Sequence, residues 1–85
     1  MITMRAKLRV GSVMTHQQEG VTTSERLVFH GVPRNLPYPE DGSDENNTFA
    51  KFSPSVMLDI HIANPALLGK FAPGDTFYVD FTPTE

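Results

Sequence analysis

The sequence predicts an all-β protein, a small five-stranded antiparallel barrel or sandwich with one short helical turn before the last strand. Two observations carry this prediction. Apolar residues fall on alternate positions in several short segments, which is typical of strands with one buried face. Pro, Gly and Asn stand between those segments, where they favour turns.

The first two strands are predicted on either side of a short polar loop. The first strand alternates polar side chains with the apolar set Ile2, Met4, Ala6, Leu8 and Val10. Gly11 permits a bulge or bend, after which the strand can continue to Met14. Residues 16–20 are polar and end in Gly, so they predict a hairpin loop, and a second strand follows from Val21 to Val32.

Three further strands are predicted, at 49–52, 55–63 and 76–82. Between the last two, Asn64 and Pro65 predict the start of a helical turn, because Asn caps a helix N-terminus and Pro suits its first position. An SH3-like barrel has its helical turn at this point in the chain. It is therefore favoured over a sandwich and over an oligonucleotide/oligosaccharide-binding barrel, whose helix usually lies between the third and fourth strands. The alternation predicts a core of Leu8, Val10, Leu58, Ile60, Phe77, Val79 and Phe81.

Residues 1–85 are predicted to form one β domain, since 85 residues is the size of a single small domain. Residues 33–47 form a long acidic loop rich in Pro and Gly, and loops of this length are often functional or disordered. The acids do not fit a calcium-binding EF-hand. Counted from Asp41, the Gly comes too early and the twelfth position is Phe52 instead of Glu. We expect no metal site here.

The composition excludes several classes of protein. There is no Cys, so disulfides and Cys-based zinc sites are ruled out. The net charge of −3 argues against non-specific binding of nucleic acid, which depends on clustered cations. No segment has the roughly 20 apolar residues of a membrane span, and the N-terminus does not have the pattern of a signal peptide. We expect a protein that acts inside a cell and away from its membrane.

A basic stripe is the first candidate binding site. Arg5, Lys7 and Arg9 alternate along the first strand and therefore share one face. A phosphate group can bind across such a stripe through charge-assisted hydrogen bonds. The simpler interpretation is cross-strand pairing with outward acids such as Asp59 or Asp80.

Aromatic and histidine side chains are the second candidate. Tyr38 or Tyr78 can stack on a nucleotide base, and His61 is expected to share a surface with Asp59, Tyr78 and Asp80. Ordinary exposed polar residues are the simpler interpretation of that group. No histidine pair has metal-ligand spacing, and neither a nucleophile elbow nor a phosphate loop is present. We therefore expect a protein that is not an enzyme, with no catalytic residue and no cofactor.

Two segments resemble a known group of proteins. Residues 45–55, with the sequence ENNTFAKFSPS, and residues 71–83, with the sequence FAPGDTFYVDFTP, are similar to segments of small uncharacterised proteins of tailed bacteriophages and prophages. Those proteins have a similar length and begin with a basic alternating strand. Residues 34–40 form a longer insert than is usual in the group. The group has no established catalytic residues that can be transferred to this chain.

The resemblance implies a non-enzymatic binding protein in the cytoplasm of an infected cell. Such a protein would capture a small anionic ligand, for example an immune signalling nucleotide, or bind a host protein. A homo-oligomer suits the first role, because a pocket between subunits encloses a ligand that one small barrel cannot. The alternative is a minor virion or assembly protein of the capsid or tail.

Overall fold

The computed structural model describes residues 4–85, in which four strands form one antiparallel sheet with the order β3-β2-β1-β4. The elements are β1 (Met4–Gln18), β2 (Val21–Gly31), β3 (Met57–Ile62), a 3-10 turn (Pro65–Leu67) and β4 (Thr76–Phe81). The all-β class is confirmed, as is a helical turn before the last strand. No helix in the described part of the chain is long and apolar enough to cross a membrane.

The sheet has four strands, and the strand predicted at 49–52 is wrong. This segment closes local turns instead: the Ala50 N–H donates to the Asn47 carbonyl at 2.9 Å and the Phe52 N–H to the Gly42 carbonyl at 2.7 Å. Phe52 has a φ of 67°, a left-handed conformation that an extended strand does not contain. Without a fifth strand the sheet formed by residues 4–85 is not closed into a barrel, and β3 and β4 are its edges.

The central strand β1 has different neighbours along its length. Residues 4–9 pair with β4, and residues 8–18 pair with β2. The register shifts at Gly11, where a bulge or bend was expected. The strand continues into the predicted loop at 16–20 and ends at Gln18. A tight turn at Glu19 and Gly20, which have φ values of 53° and 78°, then leads into β2. The β1–β2 hairpin gives the molecule a long, flat shape with extents of 55 × 33 × 15 Å.

The core lies on one side of the sheet, which we call the inner face. Its fully buried residues are Ala6, Leu8, Val10, Leu27, Phe29 and Ile62. Residues 63–75 cross this face, and the Phe71 ring meets the Phe29 ring at a centroid distance of 6.4 Å. The turn in this segment starts as predicted, because the Asn64 side chain accepts a hydrogen bond from the Ala66 N–H at 3.0 Å.

The predicted core is confirmed only in part. Leu8 and Val10 are buried, but three members are only partly buried, namely Leu58, Phe77 and Val79. The prediction is wrong for Ile60 and Phe81, whose exposed fractions are 41% and 51%. Both lie on edge strands, where a further strand of a closed barrel would have covered them.

The acidic loop is held against the sheet by two buried polar side chains. Asn47 is 0% exposed; its Oδ1 accepts from the Lys7 N–H at 2.8 Å and its Nδ2 donates to the Val32 carbonyl at 2.8 Å. Asp44 accepts from the Asn46 N–H and from the Asn47 side chain. The Asn47 amide thus occupies the place of a strand beside β1, beyond the point where β2 ends.

Candidate functional site

The predicted basic stripe lies on the side of the sheet opposite the core, which we call the outer face. Arg5, Lys7 and Arg9 alternate there with the buried residues of β1. Their partners across the strand on β4 are, in the same order, Asp80, Tyr78 and Thr76. The stripe is therefore bordered by polar and aromatic side chains of the edge strand.

Arg5 is already bound within the sheet. Its Nε donates to Asp80 Oδ1 at 2.7 Å and its Nη2 to Asp80 Oδ2 at 3.2 Å. The guanidinium also lies 4.6 Å from the centre of the Tyr78 ring. The hydrogen bond from Arg5 lowers the pKa of Asp80, and the same pair raises the pKa of Arg5. Cross-strand pairing, the simpler interpretation of the stripe, therefore describes Arg5.

Lys7 and Arg9 differ from Arg5. The ion pairs found within residues 4–85 involve Arg5, Arg26 and Arg34, and neither Lys7 nor Arg9 takes part in one. Arg9 is exposed, and the exposed His30 lies opposite it on β2. We call Lys7, Arg9 and His30 the basic patch. It occupies the middle of the outer face, where three strands meet.

A cleft of about 460 Å³ lies beside Arg5 at one end of the sheet. Its lining residues are Met4, Arg5, Glu45, Thr48, Asp80, Phe81 and Thr82. Two carboxylates thus face one guanidinium that is already paired with one of them. This charge balance disfavours a phosphate, so the cleft does not extend the basic patch.

Tyr78 is not free to stack on a base. Its hydroxyl donates to Asn46 Oδ1 at 2.8 Å, and the Arg5 guanidinium lies over its ring. Tyr38 is far along the chain in the loop, where its ring packs on Phe52 at a centroid distance of 6.0 Å. The structure therefore uses both tyrosines to hold the loop, and it does not bring Tyr38 to the stripe.

His61 lies away from the basic stripe. It is on β3 opposite Arg26, in the row of the sheet that contains Met14 of β1. Met14 is nine positions beyond Arg5, which is about 30 Å along a strand. The expected cluster of Asp59 and His61 with Tyr78 and Asp80 does not form, because β3 and β4 are opposite edges of the sheet.

At its own end of the sheet, His61 lies near an ion pair. Arg26 Nε donates to Asp59 Oδ1 at 2.9 Å. This bond is the largest cause of the lowered pKa of Asp59, and the charge of His61 lowers it further. Asp59 is exposed and on an edge, so its remaining lone pairs are accessible from outside the sheet.

Three polar residues with structural roles were missed from the sequence. Glu25 is 4% exposed on the inner face, and its Oε1 accepts from the Gly69 N–H at 3.1 Å, which holds residues 63–75 over the sheet. Glu25 is at an alternate position to Leu27 and Phe29, and this pattern could have predicted that it lies on the inner face. Asn47 had no such signal, because its partners Lys7 and Val32 are distant in the sequence. Asp44 is buried through its bonds to Asn46 and Asn47, so its burial follows from that of Asn47.

The comparisons with known proteins add no family to this description. No family model, no curated protein and no solved structure matches the chain. Within residues 4–85 no group of three or more His, Asp or Glu side chains converges in a way that would hold a metal ion.

Proposed function

We propose that this protein is a non-enzymatic binding module that contacts an acidic surface of a host protein through its basic patch. The observation that carries the proposal is the pair of cations, Lys7 and Arg9, in the middle of the flat outer face. Neither forms an ion pair with another residue of the described range, 4–85. Neighbouring cations of this kind complement a negatively charged surface and steer its approach. The resemblance to phage proteins supports an infected cell as the setting, with the protein in its cytoplasm.

The shape of the outer face supports a protein partner over a small ligand. Small-molecule sites are concave and bury most of the ligand. The basic patch lies on an open sheet in a molecule only 15 Å thick in its shortest dimension. Capture of a nucleotide would also need Arg5 to bind the phosphate and a tyrosine to stack on the base. Arg5 is instead bonded to Asp80, and the Tyr78 hydroxyl is bonded to Asn46.

A non-enzymatic role is supported by the state of the polar side chains. The two aspartates of the outer face, Asp59 and Asp80, are each paired with an arginine, which stabilises the ionised carboxylate. Such carboxylates are poor proton donors near neutral pH.

A minor virion or assembly protein is the second candidate function, and one feature favours it. The end of the β1–β2 hairpin, residues 14–21, is exposed on both faces and extends from the sheet. It includes two large apolar side chains, Met14 at 57% and Val21 at 63% exposed. Arms of this kind can insert into a neighbouring subunit. This candidate requires the protein to be present in purified particles at a fixed ratio to the capsid protein.

The test is a quantitative comparison of captured host proteins by mass spectrometry. The bait is tagged wild-type protein expressed in host cells, beside the double variant Lys7→Ala/Arg9→Ala. The matched control is Lys51→Ala/Lys70→Ala, which removes the same charge from two other exposed positions. Circular dichroism melting of each bait checks that it folds.

The proposal predicts at least one host protein that is retained by the wild type and the control but lost by the patch variant. Reconstitution with the purified partner should then give at least a tenfold weaker dissociation constant for the patch variant. Equal binding by both variants would contradict the proposal. Native mass spectrometry with added nucleotides is run in parallel, and a retained nucleotide that Lys7→Ala/Arg9→Ala loses would show that a small ligand is the target instead.

A further inference from the structure

The β3 edge of the sheet is open and carries exposed apolar side chains. β3 pairs with β2 on one side only, and none of its backbone groups bonds to another part of residues 4–85 on the other side. Ile60 is 41% exposed and Met57 is 67% exposed. An unpaired strand edge with apolar side chains is a ready template for another strand.

The backbone groups that face this open edge can be assigned from the ladder. The Gly31 N–H donates to the Val56 carbonyl at 3.1 Å, one residue before β3 begins. Hydrogen-bonded and non-bonded pairs alternate in an antiparallel ladder. Leu58, Ile60 and Ile62 therefore direct their N–H and C=O groups to β2, while the groups of Met57, Asp59 and His61 point outward.

Side-chain charge selects one self-pairing of this edge. In an antiparallel pair, residues directly opposite each other point to the same face of the sheet. A two-fold axis that relates two copies of β3 must therefore pass midway between one residue and the same residue of the second copy. An axis at Asp59 would place two carboxylates directly opposite each other, which is unfavourable. An axis at Ile60 places each Asp59 opposite the His61 of the second copy, and each Leu58 opposite the Ile62 of the second copy.

We propose that two copies of this chain pair through β3, antiparallel and about an axis at Ile60. The outward N–H and C=O groups of Asp59 bond those of His61 in the other copy, and the reverse pair forms by symmetry. On the inner face Ile60 meets its own copy, and the apolar surface continues from one sheet to the other. The Asp59 carboxylate keeps its Arg26 partner and uses its remaining lone pairs toward His61 of the other copy.

The other edge of the sheet is less suited to a second copy. β4 carries Asp80 as its single charged residue and has no positive residue to oppose it in a self-pairing. Asp80 is also bound by Arg5 through both of its oxygens, and Tyr78 bonds to the loop. β3 instead has one acid and one histidine two positions apart, so the two complement each other across the axis.

The pairing adds a property to the binding module. The two-fold axis that joins the two β3 edges is perpendicular to the plane of the sheet. Both basic patches therefore lie on the same face of the resulting eight-stranded sheet. The two β1 strands are then five strand spacings apart, about 24 Å. Two linked patches bind a partner with two sites more tightly than one patch does. The dimer itself does not depend on the proposed function, and its tests use the protein alone.

The first test is disulfide cross-linking. The chain has no Cys, so a single introduced Cys can form a disulfide only with the Cys of another copy. Ile60→Cys should cross-link to its own copy on mild oxidation, since opposite Cα atoms in a non-hydrogen-bonded pair are about 4.5 Å apart, within the range of a disulfide. An equimolar mixture of Leu58→Cys and Ile60→Cys reports the rejected register with Asp59 kept, because an axis at Asp59 would place Leu58 opposite Ile60 of the second copy. The mixed disulfide should form at least tenfold more slowly than the disulfide of Ile60→Cys with its own copy. Faster formation of the mixed disulfide, or no cross-link with Ile60→Cys, would overturn the proposed axis.

The second test is sedimentation equilibrium of the wild type and two charged variants. Ile60→Lys places two cations at the axis, and we expect the dissociation constant of the dimer to rise at least tenfold. Phe81→Lys is the matched control on β4, at a similarly exposed apolar position, and it should leave the dimer intact. A wild type that is monomeric up to millimolar concentration, or a dimer lost with Phe81→Lys and kept with Ile60→Lys, would overturn the proposal.

Discussion

Leu8 in β1 and Ile60 in β3 both point to the inner face, but their surroundings differ. Leu8 is 2% exposed and Ile60 is 41% exposed. The half of β1 that contains Leu8 is covered on both sides. β4 pairs with it on one side, and β2 and the Asn47 side chain bond to it on the other. β3 has β2 alone. In this thin molecule, the burial of an apolar residue therefore depends on whether a strand lies on each side of its own strand.

The largest expected effect comes from truncating the two apolar residues themselves. Leu8→Ala should lower the free energy of unfolding by about 2–5 kcal/mol, because it leaves a cavity in the core. Ile60→Ala should cost only about 1 kcal/mol in the dilute monomer, because much of that side chain is already in water. Urea unfolding at low protein concentration measures both. Equal losses would show that β3 is as well covered as β1.

Asn47 replaces a strand beside β1, so its removal should be the next most damaging change. Asn47→Ala leaves the Lys7 N–H and the Val32 carbonyl without their partners, and we expect a loss of about 2–4 kcal/mol. The control is Asn46→Ala, which mainly gives up the exposed bond from the Tyr78 hydroxyl and should cost under about 1 kcal/mol. Thermal melting separates the two variants, and a larger effect of Asn46→Ala would refute the role of Asn47.

Acid should weaken both edges of the sheet through their ion pairs. The pKa values of Asp80 and Asp59 are lowered by Arg5 and Arg26. A lowered folded-state pKa gives stability that is present above the unfolded pKa and lost as the pH falls through the folded value. We expect the melting temperature to fall below about pH 4. Asp80→Asn/Asp59→Asn should flatten this dependence, and an unchanged pH profile would exclude these pairs as its source.

The smallest expected effect is at the turn of the β1–β2 hairpin. Glu19 has a φ of 53°, a conformation that Asn adopts more easily than Glu, and Gly20 follows it. Glu19→Asn should raise the free energy of unfolding by about 0.5 kcal/mol. A small gain in melting temperature with unchanged dimer formation is the expected result. A clear loss would show that the turn differs from the one described.

Local chemistry made part of this fold predictable from the sequence. The alternation in β1, the cap at Asn64 and the turn before β4 all depend on neighbouring residues, and each lies where it was expected. The burial of Asn47 depends on partners that are distant in the sequence, Lys7 at 40 residues and Val32 at 15. The turns at 49–52 in turn depend on the carbonyls of Asn47 and Gly42. The basic stripe was placed on the right face, but the pairing of Arg5 with Asp80 depends on the register of the first and last strands.

The most direct test of the account is whether the sheet is open at β3. Residue-resolved amide hydrogen exchange by NMR, on protein dilute enough to be monomeric, reads each N–H of that strand. The account predicts slow exchange at Leu58 and Ile60, whose N–H groups point to β2, and fast exchange at Asp59 and His61, whose N–H groups point outward. Slow exchange at all four positions in the dilute monomer would mean that another part of the chain covers this edge, and would contradict the open sheet.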